Sequence, residues 1–169
     1  MTWGGRPIHN PLVTAVTGAV LLARPFAGQA KGWVLDSAID RTTNEVIREV
    51  VVAGDKVGTG KPGSAILSVR CIRHAVVVSL VSVYLDTFVG SQRTVTLYTQ
   101  LDDGPEVAEL WPLPEQALPM EAEVKGAAAL SLARNLASHM KFSVTGTQSE
   151  TFHIPNKDVL KALLARCVR

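Results

Sequence analysis

The segment GDKVGTGKPGS, Gly54 to Ser64, comes nearest in this sequence to a phosphate-binding loop. A P-loop needs GxxxxGK followed by Ser or Thr, because backbone N–H groups wrap the phosphates, the lysine reaches the outer ones and the hydroxyl holds Mg2+. Aligned on Gly60-Lys61, the chain has Asp55 where the first glycine is required and Pro62 where the hydroxyl is required. Proline brings neither an N–H nor a hydroxyl, and the residues after Ser64 read as strand, not helix. The segment is therefore expected to be a solvated loop that binds no nucleotide.

Three other chemistries are conceivable from residue type and spacing. Cys71 and His74 offer a thiol and an imidazole, but three residues apart across a turn they do not converge, and zinc needs further Cys or His ligands. His139 and His153 supply no paired spacing. A serine hydrolase needs a GxSxG elbow, which is absent. The carboxylate pairs Asp102/Asp103 and Glu121/Glu123 stand where turns and helix starts attract acids without catalysis. No catalytic set, no metal site and no cofactor are expected. Arg70, Arg93, Tyr98 and Trp111 remain as candidate binding residues, since arginine and aromatic side chains dominate contact hot spots.

These residues are carried by text that is mostly strand-like. Trp33 to Ile39 alternates, and NEVIREVVVA (Asn44 to Ala53) is rich in β-branched residues. In SAILSVRCI (Ser64 to Ile72), Leu67, Val69 and Cys71 share one face, and Ile66, Ser68 and Arg70 share the other. HAVVVSLVSV (His74 to Val83) is apolar enough to be a central strand covered on both faces. RTVTLYTQL (Arg93 to Leu101) places Val95, Leu97, Thr99 and Leu101 inward and Tyr98 outward, and a turn at Asp103-Gly104 leads into EVAELW. From Met120 a helical period is read through Val124, Ala128, Leu132, Leu136 and Met140. KFSVTGTQSETFHI returns as a hairpin around Gly146. A last helix, with Asn156 as N-cap, stacks Val159, Leu163 and Cys167 on one side.

The first thirty residues differ from the rest. They contain no Asp or Glu, and an apolar run from Leu12 to Ala23 precedes Arg24-Pro25 and the small residues Gly28 and Ala30. That run is too short for a bilayer span and matches a secretory signal peptide cut after Ala30, so residues 1–30 are expected to be an export signal and 31–169 one domain. Removing Arg6 and Arg24 takes Lys+Arg from 17 to 15 against 15 Asp+Glu. A neutral domain with scattered basic residues is not expected to bind nucleic acid. In an oxidising compartment the two cysteines, Cys71 and Cys167, are expected to form one disulfide.

Trp33, SAILSVRC ending in Arg70-Cys71, the apolar strand after it, Trp111, ALSLARNLASHMKFSV, Phe152 and a final helix ending in Cys167 stand in an order that resembles the VasI-type periplasmic accessory proteins of bacterial type VI secretion. The resemblance spans Trp33 to Cys167. It maps the family's Arg-Cys pair to Arg70-Cys71 and its terminal cysteine to Cys167, in agreement with the disulfide. The chain departs from the family pattern at Tyr98-Thr99-Gln100, where charged residues are common, and at Phe152-His153-Ile154-Pro155, which lacks the glycine of Phe-x-x-Gly. The expected fold is α+β and mainly β: a small antiparallel sandwich or curled sheet with one helix across it and a C-terminal helix tied by the disulfide. The expected function is that of a non-enzymatic, periplasmic or secreted binding or accessory module with a protein partner in the cell envelope. The alternative is a proteinaceous inhibitor of an envelope hydrolase such as lysozyme, which would insert Gly54 to Gly63 or YLDTFVGSQ into the active site.

Overall fold

The structure, a computed structural model, describes residues 32–40, 45–55, 65–82, 94–114, 121–146, 149–154 and 156–168. The proposed export signal, Arg93, YLDTFVGSQ and residues 56–64 of the glycine-rich loop lie outside the described residues.

The described residues are mainly β, with two antiparallel sheets and two helices. Sheet A contains β1 (Val34–Asp40), β2 (Glu45–Ala53), β3 (Ala65–Ile72), β4 (Ala75–Ser82) and β7 (Glu121–Lys125), hydrogen-bonded in the order β1-β2-β3-β4-β7. Sheet B contains β5 (Thr94–Leu101), β6 (Val107–Pro112), β8 (Lys141–Thr145) and β9 (Ser149–His153), in the order β6-β5-β8-β9. Helix α1 (Gly126–Leu136) packs against β4 and β7, and α2 (Lys157–Cys167) packs against β2, β3 and β4.

Period-two alternation decides which face of each strand enters the core. In sheet A the register aligns Val50, Val69 and Val78 in one row and Val52, Leu67, Leu80 and Ala122 in the next, all buried. In sheet B, Val95, Leu97, Phe142, Val144 and Phe152 face inward, with Trp111 fully buried opposite Val95. The two inner faces and the helix residues Ala129, Leu132, Ala133, Leu136, Leu160, Leu163 and Cys167 make one apolar cluster.

Cys71, on the inner face of β3, is bonded to Cys167 at the end of α2, with 5.6 Å between the Cα atoms. The bridge closes a sequence separation of 96 residues, so the last helix is held to the central strand of sheet A by a covalent bond as well as by packing.

β4 joins β3 through Arg73 and His74, both at positive φ (49° and 65°). This is the left-handed pair that a two-residue hairpin turn requires. β4 is buried on both faces, as its apolar run implies: Val76, Val78 and Leu80 face the core, and Val77 and Ser79 are covered on the other side.

One boundary differs from the sequence reading. Residues 121–125 are strand, and α1 begins at Gly126. Glu121, Glu123 and Lys125 alternate with Ala122 and Val124, which satisfies the open edge of β4 over five residue pairs. That sheet pairing overrides the helical composition. Gly126 then takes φ 68°, a left-handed conformation that breaks the strand from the helix. Met140 is not on the apolar face of α1; it lies beyond the helix and is exposed.

Candidate functional site

Among the candidate residues, Tyr98 has the setting of a contact residue. It lies on β5, between β6 and β8 in the interior of sheet B, on the face turned away from the core. It is 47% exposed. The alternation that buries Val95, Leu97 and Thr99 sends Thr94, Thr96 and Tyr98 outward. The register sets Tyr98 opposite Ala108 and Thr145, Gln100 opposite Ser143, and Thr96 opposite the exposed Leu110.

Hydroxyls continue this face across β8 and β9. The Ser143 Oγ and Thr151 Oγ1 atoms are 3.2 Å apart, and Thr145 Oγ1 and Ser149 Oγ are 3.1 Å apart, each pair cross-strand in register. Gln100 Nε2 donates to the Gly104 carbonyl at 2.8 Å. The middle of the face therefore carries a phenol ring, hydroxyls, a carboxamide and a leucine, with no formal charge. Charged groups occur at its end, where Lys141 stands opposite His153. Lys141 Nζ pairs with Asp103 Oδ1 at 2.9 Å, and His153 Nδ1 contacts Asp55 Oδ2.

Two aspartates pin the strand ends of sheet B, Asp102 within the sheet and Asp55 to its neighbour. Asp102 sits in the turn after β5 at φ 48°, and its Oδ1 accepts the backbone N–H groups of Met140 and Lys141, both at 2.8 Å. Desolvation raises the Asp102 pKa, but the two N–H groups and the nearby His139 and Lys157 outweigh it and hold the carboxyl below its ordinary value of 3.8. Asp55 ties the sheets together: its N–H donates to the Thr151 carbonyl at 2.7 Å, just after Gly54, whose N–H donates to Ala65 O at 2.9 Å. The glycine-rich segment thus begins as a clamp between sheet A and sheet B.

Arg70 has a different environment. It lies on the outer face of β3, opposite Glu49 and Val77 in the neighbouring strands. Its Nη2 donates to Glu121 Oε1 at 2.9 Å, to Glu123 Oε2 at 3.2 Å and to Ser79 Oγ. Glu123 also pairs with Lys125. The guanidinium is engaged within the sheet. Trp111 is buried in the core and donates its Nε1–H to Glu109 Oε2 at 3.1 Å, so its ring contributes to packing and not to a surface. Arg93 lies outside the described residues.

The structure therefore separates the candidates: Tyr98 is on a free face, Arg70 in an ion-pair network on the other sheet, and Trp111 in the core. The alternation of β5 places Thr96 beside Tyr98, but sequence reasoning missed the residues that other strands add to this face, namely Leu110, Ser143, Thr145, Ser149 and Thr151. The signal available was the outward parity of KFSVT and SETFH once the Gly146 turn pairs them. Among the described residues, no group of three or more His, Cys, Asp or Glu could hold a metal, and no helix is long and apolar enough to cross a membrane. No protein family, curated protein or solved structure matches the chain.

Proposed function

We propose that the chain is an extracytoplasmic binding module that engages a protein of the cell envelope through the outer face of sheet B, in an accessory role of the kind that VasI-type proteins fill in type VI secretion. The observation that carries the binding reading is Tyr98, half-exposed in the interior of a sheet and surrounded by hydroxyls. A rigid aromatic ring among small hydroxyl residues gives a large contact area at low conformational cost and adaptable hydrogen bonding, the composition that antibody contact surfaces use. The Cys71–Cys167 disulfide supports the compartment, because such bonds persist where thiols are not kept reduced.

The test places a photoreactive phenylalanine at Tyr98 or Thr96, with a control at Arg166 on the exposed side of α2, and irradiates intact cells of the native host. The reading predicts one discrete adduct with an envelope protein from the two sheet positions and none from Arg166. It also predicts that Tyr98→Ala weakens binding of the purified partner with no loss of thermal stability. Equal adducts from all three positions would remove the sheet face from the proposal. Both cysteines alkylatable in intact cells without reductant would remove the compartment. An adduct with a hydrolase whose activity falls on binding would replace the accessory role with inhibition.

A further inference from the structure

The core face of sheet A is left partly open beside the end of α2. Residues i and i+2 of a strand share a face, so Val46 and Arg48 lie on the same side of β2 as the buried Val50, and Leu35, opposite Val50, lies on that side of β1. Leu35 is nevertheless 60% exposed, Val46 is 64% exposed, and Arg48 is exposed. Helix α2 ends at Cys167, which is bonded to Cys71, the residue opposite Arg48 in β3. With 5.6 Å between the Cα atoms across the bridge and about 5 Å across the strand pair, the helix end lies within about 11 Å of Arg48. The neighbours of Cys167 therefore join this surface: Arg166 is exposed, and Val168 is 50% exposed.

The surface interleaves two kinds of side chain. Leu35, Val46 and Val168 are apolar, and the cations Arg48 and Arg166 stand among them, with Ser37 and Arg48 between Leu35 and Val46. Carboxylates hold Arg70, Lys125 and Lys141, whereas among the described residues neither Arg48 nor Arg166 has a hydrogen bond or ion pair. The acid of α2, Asp158, stands in its first turn, about 12 Å along the axis from Arg166. A second copy docked here would bring the same two arginines against each other, so the charge selects against self-association. A protein interface closing on this pattern would desolvate both cations together with the apolar side chains. At a bilayer the guanidinium groups stay in the hydrated headgroup layer while the apolar side chains reach past it.

We propose that this end of sheet A seats the domain on an anionic phospholipid bilayer. Arg48 and Arg166 take the lipid phosphates, and Leu35, Val46 and Val168 enter the boundary between headgroups and acyl chains. The surface is on the other sheet from Tyr98 and does not depend on the role given to that residue.

The oxidised chain, in the form its native host produces, is mixed with vesicles of phosphatidylglycerol and phosphatidylcholine in equal parts, or of phosphatidylcholine alone. Binding is read by sedimentation, and backbone amide exchange is mapped by mass spectrometry. The mixed vesicles are expected to bind at least about tenfold more tightly than the neutral ones and to slow exchange around Leu35, in residues 46–48 and at the end of α2. Arg48→Gln with Arg166→Gln is expected to weaken binding about 30-fold, from the attraction of an anionic surface for each cation. Leu35→Ser with Val46→Ser should weaken it about tenfold, and both double variants, at exposed positions, should keep the parent's Tm. Arg134→Gln, which removes an exposed cation of α1 outside the surface, should change affinity by less than about twofold. No binding at millimolar lipid, equal binding to neutral vesicles, or an arginine variant that binds like the parent would overturn the proposal. So would an Arg134→Gln effect as large as that of the double variant. Displacement from the vesicles by a glutamate polymer at equal charge would assign the surface to an acidic protein instead. Protection of residues 46–48 before vesicles are added would show that a second copy or another part of the chain already covers it.

Discussion

Replacing Arg70 with methionine tests whether the ion-pair network on sheet A holds β7 to the sheet. The side chains of Arg70, Glu121 and Glu123 are 19%, 16% and 10% exposed. Methionine keeps most of the apolar stem but removes the donor to Glu121, Glu123 and Ser79. Lys125 stays on Glu123, but it is largely exposed, so Glu121 loses its cation in a mostly desolvated position. Breaking a buried pair from one side costs about 3–5 kcal/mol, and an exposed pair contributes about 0–1 kcal/mol. With all three side chains more than four-fifths buried, the expected loss is about 3 kcal/mol. That corresponds to a fall of about 10 °C in Tm for a domain of this size. Urea unfolding of oxidised protein, followed by the fluorescence of buried Trp33 and Trp111, reads the change. The mechanism makes a second demand: Glu121→Gln and Glu123→Gln added to Arg70→Met should recover a good part of the loss, because the unpaired charges are then gone. A loss below about 1 kcal/mol would mean that the network behaves as a surface pair. A triple variant as unstable as the single one, or less stable, would refute the charge argument itself.

The remaining ties give further expected outcomes. Reducing Cys71–Cys167, or replacing both cysteines with serine, removes a cross-link over 96 residues. The chain-entropy relation puts the loss at about 4–5 kcal/mol, measured as a lower urea midpoint. Asp102 has a folded pKa below 3.8, so its contribution is present above that value and is lost as pH falls through the lower, folded one. Asp102→Asn should therefore lower the urea midpoint near pH 6 and converge with the parent protein in strong acid; a constant gap across pH would contradict the assignment. At Gly54 an added Cβ would lie 3.2 Å from Glu150 Oε2 and 3.3 Å from Phe152 Cε1, so Gly54→Ala is expected to cost about 1–2 kcal/mol through crowding. A thermal melt checks it, and an unchanged Tm would show that the two side chains yield freely.

Much of the fold is legible in residue alternation, because each strand buries one face against a shared core. RTVTLYTQL illustrates this: its inward set Val95, Leu97 and Thr99 and its outward Tyr98 stand as the pattern implies. SAILSVRCI likewise puts Cys71 with Leu67 and Val69, which makes its bond to Cys167 geometrically simple. Pattern fails where a short segment satisfies two periods. Glu121 to Lys125 fits the start of a helix and also a strand of five, and only the open edge of β4 decides between them. The Arg70 network is invisible for the same reason: its carboxylates lie 51 and 53 residues away and become neighbours only when β7 crosses to β4. Division of the strands between two sheets is also not local, since β5 pairs with β8 across the whole of β7 and α1.

The distribution of charge around the Tyr98 face makes a prediction that salt can measure. Arg70 is held by Glu121 and Glu123, Lys141 by Asp103, and His153 by Asp55. The middle of the Tyr98 face is thus left with neutral donors, acceptors and a ring, and contact there rests on shape and hydrogen bonding. Raising ionic strength from about 0.05 M to 0.5 M shortens the Debye length from about 14 Å to about 4 Å. A partner crosslinked through Tyr98 should therefore keep its affinity. If salt weakened the Tyr98 partner, that partner would be making contact through charges elsewhere on the chain, and the neutral face would not be the seat of recognition.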